Sequence, residues 1–141
     1  MIELNKSIIQ HGCSVQRWLQ MKSHLSKEDL LLVGDCLLIY WESDLTRGDY
    51  NAQRFVASLL FVLNPPTTLP LNDILLGLSK WNLSVEEFPW YLATQFGEEK
   101  FLHELDILEQ ESSNNEDLTR AIHTARWWLQ HDYRASRSRY E

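Results

Sequence analysis

With 141 residues, 44% of them apolar and 23% charged, the chain is sized for one domain that buries roughly 68–70% of the surface its unfolded form exposes. That composition argues against disorder except at the ends and makes a disulfide staple unnecessary; Cys13 and Cys36 lie far apart, without CxxC or zinc-ligand spacing. The formal charge of −7 works against sequence-independent nucleic-acid binding by the whole surface, so a basic protein is the simpler electrostatic match.

Met1 to Gln10 holds Glu3 and Lys6 in a short mixed stretch and lacks the basic and continuous apolar regions of a secretory signal. The densest apolar segment, Phe55 to Leu63, is too short to cross a bilayer and carries Ser58. A cytoplasmic protein with no membrane contact is expected.

In chain order, a first helix is predicted over about Cys13 to Leu25. Ser26, with Asp29 three residues on, caps a second that extends to about Ser43. A third covers about Thr46 to Leu63 and stops at Asn64-Pro65-Pro66, since neither proline can donate a backbone hydrogen bond. A short helix spans Leu71 or Asn72 to Trp81. Ser84 and Glu87 have capping-box spacing for the next, which ends at Gly97 and is threatened by Pro89 just beyond its first turn. Helices over about Glu98–Glu111 and Asn115–Tyr133 complete the chain, with residues 135–141 as a frayed tail. No stretch alternates as a strand does. The fold class is therefore all-α: a compact single-domain bundle of about six or seven helices, largely antiparallel neighbours, over residues 1–141.

Three constellations stand out. The second helix is apolar nearly all round, as a central helix would be, except for Glu28, Asp35 and Glu42 at seven-residue spacing; Arg47 and Arg54 follow at the same spacing. Antiparallel packing across Asp44-Leu45 would pair Glu42 with Arg47 and Asp35 with Arg54. On the Glu98 helix, Phe101, Leu102, Leu105 and Leu108 face inward, leaving Glu99, His103, Asp106, Ile107 and Glu111 outside. Glu99, His103 and Asp106 share a face but match neither HExxH nor the ExxH of di-iron sites, so a solvated face is the simpler reading and no metal is expected.

In the last helix Leu118, Ala121, Ile122, Ala125 and Leu129 form an inward stripe, with Trp128 at its edge and Trp127 turned away. Arg120, His123, His131 and Arg134 surround Trp127, the composition of a binding hot spot. Because large aromatics are usually buried, a cover drawn from Ile2 to Ile9 or from the Pro65-Pro66 loop is expected over it.

Between Leu71 and Leu118 eleven acidic residues face two basic ones, and the tail then turns basic with Arg120, Arg126, Arg134, Arg137 and Arg139. Neither a glycine-rich phosphate loop nor a nucleophile elbow is present, so neither an enzyme nor a cofactor is expected. The leading expectation is a non-catalytic protein-binding module of the immunity, chaperone or adaptor kind, docking a basic protein partner through an acidic helical face. Its candidate binding residues are Glu99, His103, Asp106, Ile107, Glu111, Arg120, His123, Trp127, His131 and Arg134. Nucleic-acid binding by the Trp127-centred helix and tail is the second expectation, with Arg120, Arg126, Arg134, Arg137 and Arg139 on phosphates and Trp127 or Tyr133 stacked on a base; a hydrolytic or metal-dependent enzyme is third, and a homodimer is compatible with an outward Trp127.

Overall fold

The computed structural model describes residues 20–43 and 49–131. Within them the protein is all helical: α1 (Lys27–Glu42), α2 (Tyr50–Leu63), α3 (Leu71–Leu75), α4 (Glu87–Phe96), α5 (Glu98–Glu111) and α6 (Glu116–Gln130), with 3-10 turns at Lys22–His24 and Leu78–Lys80. It forms a compact helical bundle with packed neighbouring helices. No helix among the described residues is long and apolar enough to cross a membrane. Most of the expected first helix, and Tyr133 at the end of the last, lie outside the described residues.

The starts of α1, α2 and α6 are set by side chains that satisfy orphan backbone N–H groups. Ser26 and Asp29 cap α1 reciprocally, as their spacing predicts, at 3.1 Å each way. Asp49 caps α2, accepting from Ala52 N, and Asn115 caps α6, accepting from Leu118 N. Asn64 ends α2 in the left-handed region (φ 45°) before the prolines. Gly97, at φ 91°, both ends α4 and starts α5.

The expected Ser84–Glu87 capping box does not form. Ser84 N donates to Asn82 Oδ1, and α4 begins at Glu87 with its side chain buried in the core. Pro89 then falls in the first turn of α4, where a missing N–H costs nothing, so the helix continues. The helix predicted over Leu71–Trp81 instead stops at Leu75 and resumes as the 3-10 turn. Gln53, buried on α2, holds that segment: its Nε2 donates to Lys80 O and its Oε1 accepts from Asn82 N.

The central helix is α4, which packs on α2, α5 and α6, rather than α1. Phe88, Tyr91 and Leu92 are fully buried on it, and Phe88 stacks on Trp41 of α1 with ring centroids 4.1 Å apart. Consistent with its peripheral place, α1 leaves Leu32 and Ile39 about half exposed.

The predicted Asp35–Arg54 pair is absent. Asp35 instead accepts hydrogen bonds from Thr67 Oγ1, Thr68 N and Thr68 Oγ1, tying α1 to the loop after the prolines. Two further contacts seat that loop: Pro66 O lies against Gly34, and Tyr91 Oη donates to Pro65 O at 2.7 Å. Arg54 turns the other way, to Glu87 Oε1 at 3.8 Å and Tyr50 Oη at 2.7 Å. The hairpin register failed because a loop with three donors competed for the carboxylate. Arg47, the predicted partner of Glu42, lies outside the described residues; Glu42 sits beside Gly77 of the α3 segment.

Candidate interaction surfaces

Two surfaces of the α5–α6 pair carry the sequence-derived candidates. On α6 the inward stripe is as expected, with Ala121, Ile122 and Ala125 fully buried. Trp128 anchors the helix by donating from Nε1 to Leu83 O at 2.9 Å, while Trp90 Nε1 donates to Trp128 O at 3.2 Å. The neighbouring Trp127 is 48% exposed. Its ring lies edge-on to Trp128 at 4.7 Å and against the His131 ring at 3.9 Å, and His131 Nδ1 is 2.8 Å from Trp127 O. Of the two covers expected over Trp127, the Pro65-Pro66 loop is seated on Gly34 instead, and Ile2 to Ile9 lie outside the described residues. Arg120, His123 and Trp127 line one shallow depression of about 620 Å³, which Glu116 also borders. Arg134 lies outside the described residues.

The acidic and basic segments are not independent faces. Arg126 reaches Asp106 with one terminal nitrogen and Glu109 with the other, the latter at 3.1 Å, and His123 Nε2 lies 2.6 Å from Glu109 Oε2. Hydrogen bonds from His123 and then Arg126 hold the Glu109 carboxyl below its ordinary range. Part of the charge sorting along the sequence is therefore internal pairing between α5 and α6. Asp106, expected to meet a partner, belongs to this network, and Arg126, grouped with the phosphate-binding arginines, is committed to it. His103 and Glu99 project from α5 into solvent. Among the described residues no three His, Cys, Asp or Glu side chains converge as a metal site.

The other flank of α5 is different. Ile107 lines a partly enclosed cleft of about 200 Å³ against α3, together with Leu75, Leu76 and Leu108. Leu76 is 73% exposed and Ile107 37%. Glu104 and Glu111 border the cleft, and among the described residues neither makes an ion pair. Seven residues apart, they stand nearly in line along α5, two turns and about 10 Å from each other.

Sequence reasoning named Ile107 and Glu111 but missed Leu76 and Glu104. A signal existed: Ile74, Leu75 and Leu76 are consecutive, successive residues on a helix point about 100° apart, and one of three must therefore face outward.

No family model matches the chain, and comparison with curated proteins and with solved structures finds no match.

Proposed function

We propose that the protein is a non-catalytic interaction module that docks a basic protein partner through the acidic side of its α3–α5 region. One observation carries this reading: α5 is divided lengthwise. Its α6-facing carboxylates, Asp106 and Glu109, are engaged by Arg126 and His123, whereas Glu104 and Glu111 on the opposite flank make no ion pair among the described residues and stand beside exposed Leu76 and Ile107. Unpaired charge steers encounter with a cation, and exposed apolar side chains next to it supply contact area that gains from leaving water.

Nucleic-acid binding by α6 is the lesser reading. It is favoured by the exposure of Trp127 beside Arg120, and it loses Arg126 as a phosphate contact.

The test is affinity capture from the native host by the full chain and by a Glu99→Lys, Glu104→Lys, Glu111→Lys variant, read by quantitative mass spectrometry. A basic protein retained by the first, released by added salt and lost by the second supports the proposal. Identical captured sets, or retention of nucleic acid alone, would refute it.

A further inference from the structure

Resting on that reading, we infer that the cleft between α3 and α5 receives a basic amphipathic helix of the partner, whose apolar face enters between Leu76 and Ile107 while two cations bracket it on Glu104 and Glu111. The occupant is set by charge complementarity and spacing. An apolar cleft with a carboxylate near each end suits an apolar side chain flanked on both sides by Lys or Arg, and disfavours an acidic segment. The two carboxylates lie two turns apart on one line of α5, so a second helix running alongside matches them with cations at positions i and i+7. Residues i+3 and i+4 of that helix lie between its cations on the same face, the place where side chains entering the cleft must originate. The cleft has room for one large apolar side chain rather than a wide hydrophobic face, which makes this a short, salt-sensitive helix-in-groove contact.

The probe is a synthetic helical peptide with Lys at i and i+7 and Leu at i+3 and i+4, titrated into the isotopically labelled full chain and followed by amide chemical shifts. A control peptide carries Glu in place of both lysines. The expected result is saturable, salt-sensitive shifts at Leu76, Glu104, Ile107 and Glu111 with the lysine peptide only. Leu76→Ser with Ile107→Ser, both exposed and therefore tolerated by the fold, should weaken binding at least tenfold. Glu104→Gln with Glu111→Gln should weaken it and flatten its salt dependence. Shifts centred on other carboxylates, such as Glu98 and Glu99, would overturn the cleft assignment and leave the proposed function standing. Equal binding of both peptides would overturn the cation bracket, and absence of salt-sensitive binding anywhere on the chain would overturn both readings.

Discussion

Arg54 Nη2 stands 3.8 Å from Glu87 Oε1, joining α2 to the first turn of the central helix α4. The glutamate side chain is 1% exposed and the arginine side chain 47%, so the pair brings a buried carboxylate toward a cation that keeps its own access to water. Removing the cation takes a favourable charge away from a buried acidic side chain. Arg54→Met is expected to destabilise by about 1–3 kcal/mol, more than an exposed arginine ordinarily contributes. The loss should shrink in a Glu87→Gln background. Urea denaturation of the two single variants and the double variant measures the coupling; additive losses would mean that the two residues do not act together.

Gly34 makes a prediction of opposite sign to its helix propensity. An exposed mid-helix glycine replaced by alanine gains about 1 kcal/mol. Here an added Cβ would lie 2.1 Å from Pro66 O, a backbone atom held in place by its neighbours. Gly34→Ala should therefore destabilise by about 1–3 kcal/mol, and the thermal midpoint should fall. A neutral or raised midpoint would show that the Pro65-Pro66 loop shifts freely on α1.

The Asp35 clasp gives a pH signature. Burial pushes the carboxyl up, but the hydrogen bonds from Thr67 and Thr68 together outweigh it, and the net shift is downward. Its folded pKa thus lies below its unfolded one, so the stabilisation is complete above the ordinary carboxylate range and is lost as pH falls from about 4 through the folded value. Asp35→Asn should cost about 1–2 kcal/mol at neutral pH, limited by solvent access to the carboxylate, and its stability should fall less steeply with acid than that of the parent. Glu42, whose pKa burial raises, is common to both proteins and cancels in the difference. Parallel acid-denaturation curves would contradict the assignment.

The helices were readable from apolar spacing and punctuation, because Ser26, Asn64, Gly97 and Asn115 act within a turn of where they stand. What failed depended on distant residues. Asp35 was assigned to Arg54 by counting across a hairpin, whereas its partners Thr67 and Thr68 come from a loop whose path sequence spacing does not encode. Glu87 looked like a capping residue and is a core residue, since a capping signature carries no information on which way its segment faces. On the candidate surfaces, the outward position of Trp127 was legible from its neighbour Trp128. The capture of Arg126 by Asp106 and Glu109 was not, because it depends on how α5 and α6 lie beside each other.

That adjacent tryptophan pair offers the clearest separation of packing from surface. Trp128 donates to Leu83 O, meets the Trp90 ring edge-on at 6.1 Å and anchors α6 to the segment before α4. Trp128→Ala removes that donor and opens a void beside the core, which should cost about 2–4 kcal/mol. Trp127 is half exposed, and its ring contacts are with Trp128 and with His131 at the end of α6. Trp127→Ala should therefore cost less than about 1 kcal/mol. Differential scanning calorimetry of the two variants, with light scattering to detect any change of oligomeric state, decides between the roles. A large loss from Trp127→Ala in a monomer would place that ring in the packing and remove the α6 depression as a binding surface. A large loss accompanied by dissociation would make the ring part of a contact between copies of this chain. A small loss would leave Trp127 available to a partner, and its exposed area would then be the first place to look for a second contact beyond the α3–α5 cleft.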